Sequence, residues 1–122
     1  DLASIPKRMV CVGGGIIGLE LGQTFQRLGT QLIVLEGLPR ILNGVDAECA
    51  EVVSRQIKKD GGQIHTGAKA LGWEERGGEA VVKAEVCGKV QEFPCDVILV
   101  AVGRRPVTQG FGLDKTGVKV SQ

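Results

Sequence analysis

The sequence predicts an α/β fold: an open parallel sheet with helices on its faces and an antiparallel β-meander crossover. Three observations point to it. Met9–Val12 is a short apolar run closed by glycines, Gln31–Glu36 (QLIVLE) is another, and a helical repeat separates them. Strand, helix and strand within about thirty residues make a βαβ unit with parallel pairing and a right-handed crossover. The stretch from Lys69 to Phe93 then alternates with period two, where a further crossover helix would otherwise fall. Finally, Asp96–Val102 (DVILVAV) returns as a continuous apolar run, as a strand buried on both faces does.

Each element has a local reason. From Ile16 onward, Ile17, Leu21, Phe25 and Leu28 recur at helical spacing and form a stripe expected to face the core. Gln23, Gln26 and Arg27 are expected on the wet side, and Gly29 reads as the C′ stop. After a loop containing Pro39, Asp46 is the expected N-cap of a second helix. That helix should turn Cys49, Val52, Val53 and Ile57 inward and stop at Gly61-Gly62. Gln63–Thr66 is the expected third parallel strand. The meander strands are Lys69–Glu75, Glu79–Cys87 and Val90–Phe93, with turns at Gly77-Gly78 and Gly88-Lys89. Gly13, Glu36 and Gly103 then all fall at strand carboxyl ends, where open α/β sheets bind ligands.

Composition narrows the partners. The chain has 122 residues, enough for one domain and one core. Fifteen basic residues against fourteen acidic ones leave a net charge of +1 without a basic run, so charge offers no case for nucleic acid or an anionic membrane. No apolar run is long enough to span a bilayer, and DLASIPKR lacks a signal-peptide core. Cys11, Cys49, Cys87 and Cys95 have no metal-ligand spacing, which suits free thiols in a reducing compartment. The expected location is the cytoplasm, or the mitochondrial matrix if the source is eukaryotic.

The chemistry is concentrated in "VCVGGGIIGLELGQTFQRLGTQLIVLEG". Gly13, Gly15 and Gly18 spell G-x-G-x-x-G between a strand and a helix, and Gly22 extends the series by one helical turn. Gly13 permits the tight turn. Gly15 lets a diphosphate approach backbone N–H groups at the positive end of the helix, and Gly18 and Gly22 let helix and strand pack closely. Glu36 lies twenty-three residues after Gly13, near the spacing of about twenty for an acid that binds the adenosine ribose hydroxyls. A 2′-phosphate there would meet a like charge, which favours NAD over NADP; Arg40 is placed to offset part of that repulsion. Glu20 reads from spacing alone as an acid near a helix N-terminus.

No nucleophile–base set is visible. His65, the single histidine, is expected to be structural, Trp73 to pack, and Cys11 and Cys87 to be buried inert thiols.

The segments "VGGGIIGLELGQTFQRLGTQLIVLE" and "CDVILVAVGRRPVT" closely resemble the NAD-binding domain of the dihydrolipoyl dehydrogenases. These belong to the flavin-dependent pyridine nucleotide–disulfide oxidoreductases. The resemblance extends from the lead-in "IPKRMV" through "GLPRIL" and "VDAE" to the tail "FGLDKTGVKV", nearly the whole chain. It implies a Rossmann-like domain over residues 7–122 preceded by a linker, residues 1–6. It implies that Gly13, Gly14, Gly15, Ile16, Ile17, Gly18, Leu19 and Glu20 line the dinucleotide and that Glu36 binds its ribose. Ala70 would contact the adenine end, and Gly103 would approach the cofactor with Arg104 beside it. Ile16 resembles the residue between the nicotinamide and flavin pockets, and Glu20 the acid that pairs with a lysine of the FAD domain. In the family, electrons pass from dihydrolipoamide to a disulfide, to FAD and then to NAD⁺. The enzyme is a homodimer within 2-oxo acid dehydrogenase complexes.

The departures are equally informative. The chain has no Cys-x₄-Cys, no second glycine signature for FAD and no His–Glu pair from a dimerisation domain. It is therefore expected to be an excised central domain that binds NAD(H), with FAD held by other parts of the parent, and that does not turn over alone. The NAD(P)H domains of a soluble transhydrogenase, a mercuric reductase or an NADH oxidase remain alternatives. So does a nucleotide-sensing module, although that would have no use for Glu20 or the "GRRP" segment.

Overall fold

The computed structural model describes residue 2 and residues 4–119. Val120, which closes the tail segment named above, lies outside them. The elements run β1 (Arg8–Val12), α1 (Ile16–Arg27), β2 (Gln31–Glu36), α2 (Ala47–Lys59) and β3 (Gln63–Thr66). They continue with β4 (Lys69–Arg76), β5 (Glu79–Val86), β6 (Lys89–Cys95) and β7 (Val97–Val100), followed by a 3₁₀ turn at Leu113–Lys115.

The first sheet is parallel throughout, in the order β3-β2-β1-β7, and β4-β5-β6 form a separate antiparallel meander. Because strand side chains alternate, each strand of the first sheet serves two cores. Met9, Cys11, Leu32 and Val34 point to one face, where they meet Leu19 of α1 and Ile57 of α2. Val10 and Leu35 point to the other, where Val82, Ala84, Phe93 and Cys95 of the meander cover them. Both helices thus share one face of the sheet, and the meander takes the place of helices on the other. At about 1.5–3 kcal/mol for each large apolar side chain fully buried, neither face could be left wet. At the sheet's amino end, Arg8 pairs with Asp96 and with Glu79, joining β1 to the start of β7 and to the meander.

The helix faces differ from the expectation. Ile17, Leu21 and Leu28 are 48%, 43% and 56% exposed, and Phe25 is only partly buried. The face α1 buries is Gly18, Leu19, Gly22 and Gln26. A Cβ on Gly22 would lie 3.1 Å from Leu32 Cδ1, and one on Gly18 would lie 2.4 Å from Gly13 O. The helix sits so close to the sheet that glycines line the contact, and apolar periodicity does not register them. Gln26, expected to be wet, is buried; its Nε2 donates to Ile57 O at 3.0 Å and to Asp60 O at 3.2 Å, tying α1 to the end of α2.

On α2, Ala50 and Ile57 are buried and Val53 partly so, whereas Cys49 and Val52 are exposed. Asp46 does occupy the N-cap, but its side chain makes no capping hydrogen bond. Both helices stop as expected. Thr30 N–H donates to Phe25 O and Gly29 N–H to Gln26 O; Gly62 N–H donates to Ile57 O and Gly61 N–H to Lys58 O. These are Schellman motifs, with Gly29 and Gly61 supplying the positive φ that the C′ position needs.

The meander has the predicted order of strands, but β4 runs on to Arg76 and β6 spans Lys89–Cys95 where Val90–Phe93 was expected, and its second turn and two side chains differ as well. Its second turn centres on Cys87-Gly88, both at positive φ, one residue earlier than expected. That puts Cys87 at an exposed hairpin tip instead of in a core. Trp73 is 63% exposed on β4, an edge strand, and does not pack.

Candidate functional site

The carboxyl edge of the parallel sheet is knotted together by backbone hydrogen bonds. Gly13 N–H donates to Leu35 O and Ala101 N–H to Val12 O, each at 2.8 Å, so the ends of β1, β2 and β7 meet at one turn. This is the point where the chain order of the strands reverses across the sheet, with β2 on one side of β1 and β7 on the other. Gly13 makes the turn at φ +105°, and a Cβ there would lie 2.5 Å from Ala101 O. Gly15, the N-cap of α1, is different, because a Cβ on it would meet nothing within 4 Å. Its freedom from side chain therefore leaves room outside the protein's own packing.

Helix α1 has no capping side chain and no acid in its first turn. Its first N–H groups thus keep their hydrogen-bonding capacity, at the end where the helix dipole carries roughly half a positive charge. Two clefts of about 580 Å³ each open around this end. One is walled by Gly13, Gly15, Glu36, Leu38, Ala70 and Gly103 among others. The other is walled by Gly15, Ile16, Ile17, Val100, Ala101, Gly103 and Arg104, and its lining is mainly apolar. Gly15, Ala101 and Gly103 belong to both, so the two form one trough across the sheet edge.

Glu36 is fixed in that trough. Its Oε2 accepts from Gly14 N–H at 2.6 Å and its Oε1 from Leu38 N–H at 2.7 Å. Each oxygen of an ionised carboxylate retains a second acceptor site, so the group can still receive two hydroxyls.

Of the residues expected at the site, Gly13, Gly15, Ile16, Ile17, Glu36, Ala70, Gly103 and Arg104 wall the trough. Leu19 does not. It is 3% exposed, packs in the helix-side core, and its N–H donates to Gly15 O, so it supports the turn from beneath. Gly14 is not among the residues that wall either cleft, and its N–H donates to Glu36. Gly18 is buried under the turn, and Glu20 is exposed on α1 outside both clefts.

Several contributors escaped the sequence reading. Lys69 and Ala68 line the cleft of Glu36. Beneath the turn, the Cys11 thiol lies within 3.3 Å of Gly13 O and 3.5 Å of Gly18 O as donor; burial, and then the charge of Glu36, push its pKa up to about 11. Nothing in the sequence marks that thiol as different from any other strand cysteine. Arg40 donates to Leu42 O and Asn43 O and pairs with loop backbone rather than with Glu36. His65 stands apart on β3, its ring 5.1 Å from that of Phe93, and burial lowers its pKa. Among the described residues no cluster could hold a metal ion, and no helix is long and apolar enough to cross a membrane. The trough offers backbone donors, one fixed carboxylate and an apolar wall, groups that can engage an anion, hydroxyls and a flat apolar ring.

The chain resembles known proteins in sequence and in fold. The family model described as pyridine nucleotide-disulphide oxidoreductase matches residues 1–122. A dihydrolipoyl dehydrogenase of Thermus scotoductus is 45% identical over 97% of this chain, and one of Bacillus subtilis is 42% identical over 98%. A mitochondrial dihydrolipoyl dehydrogenase of Schizosaccharomyces pombe is 40% identical over the full chain. The chain spans about a quarter of these relatives, 26%, 26% and 24% of their lengths. In fold it is similar to the HOCl-induced flavoprotein disulfide reductase RclA of Escherichia coli. That likeness has a TM-score of 0.89 at 24% identity and covers all of this chain and 27% of the other. The parallel sheet with its antiparallel meander is the fold of that reductase over the matched region, and the chain belongs to the pyridine nucleotide-disulphide oxidoreductase family.

Proposed function

We propose that residues 7–122 form the NAD(H)-binding domain of a dihydrolipoyl dehydrogenase, with residues 1–6 as the lead-in. The observation that carries this reading is the doubly anchored Glu36 carboxylate beside the uncapped start of α1. Glu36 would accept the two ribose hydroxyls of the adenosine, hydrogen bonds to charge worth roughly 1.5–3 kcal/mol each. The N–H groups of Gly15, Ile16 and Ile17 would donate to the diphosphate. Leu38, Ala68 and Ala70 would flank the adenine end, and Ile16, Ile17 and Val100 would shield the nicotinamide end from water. NAD bound there supplies a hydride acceptor for a reduced flavin held by the rest of the parent. Glu20, exposed beside that end, would meet the FAD domain. By the family's pattern the parent is a homodimer serving a 2-oxo acid dehydrogenase complex, in the cytoplasm or the mitochondrial matrix.

Calorimetric titration of the 122-residue chain tests the reading. NADH is expected to bind more tightly than NADPH, and Glu36→Arg is expected to reverse that order. Equal affinity for NADH and NADPH would remove the role given to Glu36. Binding of FAD in place of NADH would move the chain to the family's other dinucleotide site, whose ligand shares the adenosine diphosphate half.

A further inference from the structure

The loop joining β2 to α2 reaches back to the glycine turn. Leu42 N–H donates to Gly14 O at 2.8 Å, while Gly14 N–H donates to Glu36 at 2.6 Å. Gly14 is therefore held on both sides, by the loop at its oxygen and by the ribose acid at its nitrogen. Ile41, buried, closes the same contact, since its Cγ2 is 2.8 Å from where a Cβ on Gly14 would stand. To make this reach, Leu42 adopts φ +50°, a left-handed conformation that leucine disfavours. Something must hold it there. Arg40 Nη1 donates to Leu42 O at 3.1 Å and Nη2 to Asn43 O at 2.9 Å, so one planar guanidinium bridges two successive carbonyls.

We propose that Arg40 is a positioning residue of the dinucleotide site and not a ligand for a 2′-phosphate. Its fork holds Leu42 in the left-handed conformation, and the chain Leu42–Gly14–Glu36 aligns the glycine turn with the ribose acid. This rests on the dinucleotide-binding reading above. It accounts for Arg40 making no ion pair with Glu36, four residues away: the guanidinium is already engaged with backbone oxygens.

Arg40→Lys separates the two roles, because lysine keeps the charge and loses the fork. In the 122-residue chain, NADH and NADPH are both expected to bind more weakly by the same factor, about three- to tenfold for the loss of one or two hydrogen bonds. The Leu42 amide is expected to exchange its hydrogen faster in the ligand-free variant. Adding Leu42→Gly should restore NADH affinity, because glycine takes positive φ without a clamp. Unchanged NADH affinity with unchanged Leu42 exchange would overturn the proposal. So would a loss confined to NADPH in Arg40→Ala, which would make Arg40 a phosphate ligand. If the unsubstituted 122-residue chain binds no NADH, the dinucleotide reading fails instead, and Leu42 exchange still decides on the clamp.

Discussion

Helices α1 and α2 lie on the same face of the same sheet, yet their amino ends are built differently. α2 begins behind Asp46, carries Glu48 in its first turn and ends with Lys58 and Lys59, so its own charges complement its dipole. α1 begins at a bare glycine, with no capping side chain and no acid in its first turn. The two also meet the sheet differently: α2 buries Ala50 and Ile57, whereas α1 buries Gly18 and Gly22 beside Leu19 and Gln26. Their carboxyl ends use the same Schellman motif. The asymmetry thus lies in the first-turn acid and in what each helix buries. Neither helix receives a side-chain capping hydrogen bond; what separates their amino ends is the acid, Glu48 in the first turn of α2 and none in that of α1.

The largest test of this contrast is Gly18→Ala. The new Cβ would lie 2.4 Å from a backbone oxygen and 2.9 Å from Cys11 Sγ, so the helix must lift. Overpacking of that kind costs about 1–3 kcal/mol, readable as a lower denaturant midpoint. Gly15→Ala is its control, expected to keep the midpoint and weaken NADH binding; a fall in midpoint as large as that of Gly18→Ala would mean that Gly15 serves packing as well. Next in size is Ile17→Asp, which gives α1 the first-turn acid that α2 has. It should stabilise the ligand-free chain by about 0.3–1 kcal/mol while weakening NADH binding about tenfold, or about 1.4 kcal/mol. Unaltered affinity would show that the first turn of α1 does not face the diphosphate. The smallest effect is expected for Glu48→Gln, a loss of about 0.3–1 kcal/mol in stability with NADH affinity unchanged. A change in affinity there would dissolve the distinction between the two helices.

β2 begins and ends where its apolar run indicates, and β3 also keeps the expected bounds although it is only half-buried. The run Asp96–Val102 is a strand only over Val97–Val100 and is not buried on both faces, since Val100 and Val102 are exposed at the sheet's carboxyl edge. Helix faces were misread where the contact was made without side chains. Ile17, Leu21 and Leu28 look like a core stripe, but Gly18 and Gly22 take the core because only they allow the approach distance. On α2, Val52 repeats at helical spacing yet points to solvent, since Ala50 and Ile57 set the buried side. The trough itself was largely legible: glycines at strand ends, an acid at the next strand end and the return at Gly103. What holds it was not. A leucine at positive φ and an arginine bonded to carbonyls have no sequence signature, and Leu19 looks like part of the ligand-binding segment until its burial is seen.

The four thiols are distributed so that each layer of the molecule carries a separate label. Cys11 lies in the helix-side core and Cys95 in the meander-side core, both with no exposed surface, while Cys49 and Cys87 face solvent. A thiol reagent can therefore reach two sites in the intact fold and two only after a layer opens. Modification of Cys11 reports separation of the helices from the sheet, and modification of Cys95 reports lifting of the meander. Compared in one sample, their rates would tell whether the helix layer comes apart together with the meander, or before it.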